Sequence, residues 1–469
     1  MSIHGPLGVQ PSGAFELRAR TLRSRAAASR SGPLALGGSA ALGGLLLTGL
    51  LISISAANTD SLLPESVRPV PSWLAGPFGN TGVDLGGWGL IAVLTVMFGC
   101  YAVAVSLADR LSGRAVLATI AALNALVLLA PPLLSTDVFS YQAYARMGAM
   151  YGTNPYLHGP HAIALDPLYP YIGASWVSTP SAYGPLFTVL SYIVAPVSVA
   201  VSALTFKSIA ALSSLATIAL LWNAARLRGL NPVRTVVLFG CNPLVVVYGV
   251  GGGHNDLLMV AAVTAGLYAL LAHRGRTGGA MLAVGAGIKL TAGLFLPFAL
   301  ASARGPASRS TRLSRRDIAL GSGIALALIC VLGAVLFGSG PLHLPATLQK
   351  TQAAGDWHSI PGFISTRLGF GEIGHLTGLL LGFGFVCVCA WLVRQVWVGR
   401  MDWIDGAAWA TIAMLVSASS LLPWYVCWLM PLVGLCADRH LWRWAIVITG
   451  IVQGIQLVGY APHGGSPLS

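Results

Sequence analysis

The chain has 469 residues, of which 55% are hydrophobic and only 9% charged, with a net charge of +13. A soluble globular chain carries about 25% charged residues, so soluble enzyme, nucleic-acid binder and disordered scaffold are excluded. What remains is a polytopic α-helical membrane protein, because lipid-exposed backbone must satisfy its own hydrogen bonds.

Residues 1–36 form an Arg-rich tail, with Arg18, Arg20, Arg23, Arg25 and Arg30 against Glu16. The positive-inside rule places such a tail in the cytoplasm. A single transmembrane domain is expected over 37–460, followed by a short tail, 461–469. The first apolar run, 37–57, is too long for a signal-peptide core. Further runs lie at 87–107, 115–134, 186–205, 208–225, 233–250, 257–273, 279–302, 318–338, 374–397, 406–422, 424–436 and 441–460. These thirteen runs predict an all-α bundle of about 11–13 membrane segments. The 303–316 loop carries Arg304, Arg309, Arg312, Arg315 and Arg316 and belongs inside with the tail. Loops 58–86, 135–184 and 340–373 then face outside, and they hold the Pro, Gly, Tyr, Trp and His that suit short interfacial helices. The seven cysteines lie in or beside apolar runs without CxxC spacing and read as small core residues.

Between 185 and 303 the number of crossings must be odd. Five full crossings of the runs as drawn would put Arg226, Arg228 and Arg234 outside. Three crossings plus two short hairpins keep them inside, and place GGGHND outside with Lys289 at the outer end of a broken hairpin. The second arrangement obeys the charge rule.

No Walker motif and no GxGxxG after a strand occurs. GVGGG (249–253) sits among apolar residues and suits tight helix packing. The polar chemistry gathers in four places. Asp137 opens STDVFSYQAYARMGAMYGTNPY just past an apolar run. Asp137, Tyr141, Tyr144 and Tyr151 recur at helical spacing, and Gln142 and Arg146 share another face. A carboxylate beside aromatic rings can take a proton from a sugar hydroxyl; it can equally cap a helix. GGGHNDLL sets His254, Asn255 and Asp256 at a helix start, either as a costly functional cluster or as a cap. Lys289 in GIKLTAGLFLPF either snorkels or holds a phosphate, since no acid lies near it in sequence. Trp424 and Tyr425 in LLPWYVCWLMP read as an outer turn or an aromatic belt. Loop 340–373 adds His343, Gln349, Lys350, Gln352, Asp356, Trp357, His358 and Arg367, a binding wall or a solvated surface. His158 and His161 lack a third ligand at metal-like spacing, and no metal is expected.

These motifs, with TPSAYGPLF between the first two, resemble in content and order the actinobacterial polyprenol-phosphate-mannose-dependent α-1,6-mannopyranosyltransferases. The resemblance covers roughly residues 37–460. It implies an integral-membrane GT-C glycosyltransferase of the plasma membrane, acting on the extracytoplasmic side without a cofactor. Its expected partners are a polyprenyl-phosphate-mannose donor, a mannosylated glycolipid acceptor and membrane lipid; no nucleic acid is expected. The product would be the α-1,6-mannan backbone of lipomannan and lipoarabinomannan. By the motif, the catalytic base carries over to Asp137. Donor phosphate would fall to Lys289 and His254, and substrate contacts to Tyr141, Tyr144, Arg146, Asn255, Asp256, Trp424, Tyr425 and His358. Two spans precede 115–134, so Asp60 and Asp84 in loop 58–86 are rival acids. A β-linked donor and an α-linked product require inversion, hence one base and a stabilised leaving group. The other classes open to this sequence are a flippase for a polyprenyl-linked sugar, or a related enzyme using another donor such as the arabinose lipid.

Overall fold

The computed structural model describes residues 33–58, 76–79, 81–302, 314–353, 358–371 and 373–460. The N-terminal arginines, Asp60, Glu65, Asp356, Trp357, Glu372 and most of loop 303–316 lie outside the described residues. The described chain is helical, with no strand. In chain order the helices are α1 (Pro33–Ala56), α2 (Gly86–Ser106), α3 (Gly113–Leu129), α4 (Asp137–Ala149), α5 (Pro185–Ser191), α6 (Val199–Leu227), α7 (Pro232–Gly240), α8 (Asp256–Leu271), α9 (Gly275–Ile288), α10 (Phe295–Ser302), α11 (Arg315–Phe337), α12 (Leu344–Ala353), α13 (Ile360–Arg367), α14 (His375–Trp397), α15 (Trp403–Ser417), α16 (Met430–Leu435) and α17 (Arg439–Gly459). Six are long and apolar enough to cross a membrane, and α7 with the π-helical turn Leu244–Val250 makes a seventh, bent by 50°. Shorter apolar helices fill the interior between them.

Two runs were expected as separate spans, 186–205 and 208–225. The structure replaces them with a short outer piece and one long helix. Pro196 cannot continue the first run, and the chain restarts at α6, whose first turn is capped by Ser198 accepting from the Val201 amide at 3.3 Å. Lys207 does not interrupt α6. Its ammonium is buried and donates to the backbone carbonyls of Ala130 and Pro131. The expected run 279–302 is broken at Lys289, whose extended backbone separates α9 from α10. The 233–250 run bends at Asn242–Pro243, where the Asn242 side chain accepts from the Leu244 amide at 2.9 Å and donates to Tyr101 and Thr449.

From 199 to 302 the chain runs through α6, the bent pair of α7 with Leu244–Val250, and the shorter helices α8, α9 and α10; α6 and the bent pair are long and apolar enough to cross a membrane. The outcome for charge is the one the rule favoured. Arg228 pairs with Asp402 at 3.4 Å, Arg276 with Asp317 at 2.8 Å, and Asn231 with Asp109 at 2.8 Å. Arg315 lies over the Trp397 ring and Arg234 over Trp442. These contacts gather the arginines at one end of the bundle. GGGHND, Lys289 and Asp137 meet at the other.

Candidate functional site

The site is built on two interlocked turns. α3 stops before Pro131 and Pro132, and Leu134 takes a left-handed conformation with φ of 57°. Such a conformation is strained for a branched side chain. The Leu133 amide donates to the Gly251 carbonyl at 3.0 Å, tying this turn to the GVGGG segment. Gly253 is left-handed at φ +71°, and a β-carbon there would stand 2.6 Å from Val138. Glycine thus lets 251–255 close onto the start of α4. Asp137 and His254 are brought together by that closure.

His254 Nδ1 lies 3.2 Å from Asp137 Oδ2, in polar contact without the alignment of a hydrogen bond. Tyr141 and Tyr183 each donate a hydroxyl to the same oxygen at 3.4 Å. Tyr141 in turn accepts from the Asn255 amide at 3.3 Å and packs edge-on against Tyr183, Phe187 and Phe206. Burial pushes the Asp137 carboxyl up, but His254 and the charge of Lys289 outweigh it and hold it below the ordinary carboxylate range. The carboxylate is therefore ionised at neutral pH. Its engaged oxygen serves these side chains, which is more than a helix cap requires. Asn255, at the start of α8, makes no side-chain cap either.

Behind this acid lies a second charged layer. Asp256 Oδ1 accepts from Lys289 Nζ at 2.6 Å and from Trp428 Nε1 at 2.7 Å. Lys289 also sits 4.6 Å from the Tyr425 ring centre and 5.2 Å from that of Trp428. These two rings stack at 4.2 Å, and Trp424 stacks on His254 at 3.5 Å. The Gly184 amide donates to the Ile288 carbonyl at 2.9 Å, and a β-carbon at Gly184 would stand 2.1 Å from the Gly287 carbonyl oxygen. Two glycines thus admit the backbone contact that carries Tyr183 to the acid. His254 Nε2, Asn255 Nδ2, Asp256 Oδ2 and Trp424 Nε1 are buried without a hydrogen-bond partner among the described residues.

A cavity of about 910 Å³ opens over this floor. Asp137, Tyr183, Lys289, Trp424 and Tyr425 line it below; Tyr156, Trp176 and Thr179 line one wall; His343, Thr347, Lys350 and Gln352 line the wall made by α12 and the turn before it. Asp137 is the only acid on its surface among the described residues.

The expected residues divide by this geometry. Asp137, Lys289, Trp424 and Tyr425 reach the cavity, and Tyr141, His254, Asn255 and Asp256 back them. Tyr144 is buried and donates to the Thr179 carbonyl at 2.8 Å, holding the adjoining loop. Arg146, expected at the substrate, does not line the cavity. It pairs with Asp166 at 2.5 Å and donates to the carbonyls of Ala195 and Val197, while Gln142 clamps the same turn at Val194 and Val197. Tyr151 leaves the expected face because α4 ends at Ala149; it donates to Asp166. His358, before α13, does not line the cavity, nor does the rival acid Asp84, which accepts from the Gly86 amide at 2.8 Å. Lys289, expected to face a phosphate for want of a nearby acid, has Asp256 as its counter-ion. Tyr183 and Trp428 were not singled out from the sequence. Trp428 follows Trp424 and Tyr425 at turn spacing, and Tyr183 stands in PSAYGP, which signals a tight backbone approach. The described residues hold no cluster of His, Cys, Asp and Glu able to bind a metal ion.

The family described as alpha-(1->6)-mannopyranosyltransferase, N-terminal domain, matches residues 40–304. Asp137, His254, Asp256 and Lys289 all fall within that span; α12 and the Trp424–Trp428 turn lie beyond it. Alpha-(1->6)-mannopyranosyltransferase A of Mycobacterium tuberculosis is 30% identical over 366 residues, covering 72% of this chain and 68% of that protein. Alpha-(1->6)-mannopyranosyltransferase A of Corynebacterium glutamicum is 26% identical over 354 residues, covering 66% and 68%. No solved structure matches the chain significantly. With more than half of its length matched by the family and a relative of this identity and coverage, the chain belongs to the actinobacterial α-(1→6)-mannopyranosyltransferases.

Proposed function

We propose that this mannosyltransferase moves mannose from a polyprenyl-phosphate donor to the 6-hydroxyl of a mannosylated glycolipid, with inversion, on the extracytoplasmic face of the plasma membrane. The observation that carries the reading is Asp137, the only acid on the cavity surface among the described residues, with His254, Tyr141 and Tyr183 gathered on one of its oxygens.

A hydroxyl is a poor nucleophile at neutral pH, and a positioned base contributes roughly 10²–10⁴-fold. In a single displacement the acceptor oxygen bonds to the anomeric carbon as the bond from that carbon to the phosphate oxygen breaks. The hydroxyl proton passes to Asp137, and the electron pair leaves with the polyprenyl phosphate. His254, Tyr141 and Tyr183 hold the carboxylate in place. Lys289 adds positive charge behind it while staying bound to Asp256. The aromatic floor of Trp424 and Tyr425 suits the apolar face of a sugar ring. The arginine-rich end supports a cytoplasmic placement by the positive-inside rule, which turns the cavity outward.

The test is turnover by the purified protein of synthetic β-mannosyl-phosphoryl-polyprenol, with and without a mannoside acceptor. An acceptor-dependent α-1,6 product is expected. Transfer from a nucleotide-mannose alone, or a product retaining the β configuration, would overturn the reading.

A further inference from the structure

We propose that α12 supplies the site for the donor's lipid-linked phosphate, with Lys350 as its cation. The inference rests on the transfer reaction proposed above.

The charge balance of the cavity is the first argument. Two lysines line it, Lys289 and Lys350. The charge on Lys289 is taken up by Asp256 at 2.6 Å. Lys350 is exposed, and no carboxylate among the described residues pairs with it. The positive charge left for an anion therefore sits on α12.

The second argument is the face of that helix. Thr347, Lys350 and Thr351 of α12, at i, i+3 and i+4, line the cavity with His343 of the turn before it. The Lys350 ammonium and the Thr347 hydroxyl can donate to one group of phosphate oxygens, while the Thr351 hydroxyl is taken up by the Thr347 carbonyl at 2.9 Å. The end of the helix is fixed. Gln352 accepts from the Ser420 amide at 3.2 Å, and its carbonyl accepts from the Ser419 hydroxyl at 2.7 Å.

The third argument identifies a lipid ester over a free anion. A second cavity of about 130 Å³ shares Gln352 with the first; Gln349, His375 and Ser419 line one part of it, and Ile373, Gly378 and Leu379 the part toward α14. It opens on α14, which exposes Leu376, Leu380 and Phe383. A phosphate held at Lys350 could pass its acyclic apolar chain past Gln352 onto that surface. The leaving group then lies on the α12 wall, apart from the base on the floor. As the bond to the anomeric carbon breaks, the negative charge grows on a phosphate oxygen, and the ammonium neutralises it without a proton transfer.

The experiment uses the full chain with Lys350→Met and Lys350→Arg. Losing a charge-assisted contact should raise KM for the polyprenyl-phosphate-mannose donor roughly ten- to hundredfold. The acceptor KM should stay unchanged, Arg should restore most of the loss, and the melting temperature should hold because Lys350 is exposed. Polyprenyl phosphate should inhibit the native enzyme competitively with donor, and inhibit Lys350→Met far less. An unchanged donor KM and unchanged inhibition in Lys350→Met would overturn the proposal. Inorganic phosphate inhibiting as well as the lipid would overturn the lipid-linked part. A native enzyme that neither turns over the lipid donor nor binds polyprenyl phosphate would instead remove the donor assignment itself.

Discussion

Two ion pairs of nearly equal length lie at opposite ends of the bundle. Lys289 and Asp256 meet at 2.6 Å with side chains only 11% and 1% exposed; Arg276 and Asp317 meet at 2.8 Å with side chains 73% and 37% exposed. Their chemistry is similar and their physics is not. An exposed pair gains roughly 0–1 kcal/mol, because water screens both charges whether or not they meet. A buried pair has lost its hydration, so each charge depends on the other, and removing one partner costs about 3–5 kcal/mol. The arginine end is therefore tolerant, and its charges act by their sum on orientation. The site end is intolerant, and its charges act one by one.

The largest effect should come from the acid that faces the cavity. Asp137→Asn keeps the side-chain shape and removes the base. Turnover should fall by roughly two or more orders of magnitude, with the donor still bound and the fold intact by melting. Because the native carboxyl is held below its ordinary range, its ionised form is lost only as pH falls below that range. Asp137 itself should then impose no change in turnover across neutral pH. Near-normal turnover in Asp137→Asn would move the base elsewhere.

Next in size is the buried pair itself. Lys289→Met leaves Asp256 with Trp428 as its remaining donor. Thermal melting in detergent should register a loss of about 3–5 kcal/mol. Lys289→Met with Asp256→Asn should recover part of it, since the stranded charge is gone. A double variant no more stable than the single one would mean the two charges are uncoupled, and the contrast between the ends would fail.

The polar residues of the floor were legible because each interrupts an apolar run: Asp137 after α3, His254–Asn255–Asp256 before α8, Lys289 between two glycine-rich stretches. Their pairing was not legible. Asp256 and Lys289 are 33 residues apart, at the two far ends of the α8–α9 hairpin, and only the fold returns one to the other. The same holds for Arg146, whose partner Asp166 lies 20 residues on in an irregular loop. The all-helical class followed from composition. The joining of 199–205 with 208–225 into α6 did not, because both runs are apolar and hydropathy does not register the break at Pro196. Lys207 lies between the two expected runs 186–205 and 208–225. A lysine in an apolar run looks like a boundary, yet helix-end carbonyls hold it inside α6.

A smaller effect tests the backbone contact that sets the floor. Gly184→Ala would bring a β-carbon to 2.1 Å from the Gly287 carbonyl oxygen, so one segment must move. Overpacking of this kind costs about 1–3 kcal/mol. Tyr183 should shift from Asp137, and turnover should fall with the melting temperature. Gly99→Ala on α2, where nothing lies within 4 Å, is the control and should leave both unchanged.

The smallest effect belongs to the other end. Arg276→Ala removes an exposed guanidinium from Asp317, and both groups can then be hydrated. The loss should be roughly 0–1 kcal/mol and should shrink further in high salt, where exposed charges are screened. Turnover should not change, because the α9 end that carries Arg276 lies a full helix away from Lys289 at the other. The comparison is sharpest when Arg276→Ala and Lys289→Met are melted side by side at low and high salt. The first should lose its small effect as salt rises, and the second should keep its large one. A salt-insensitive loss of several kcal/mol in Arg276→Ala would show that the arginine end is also held by desolvated charge, and the distinction between an orienting end and a reacting end would not stand.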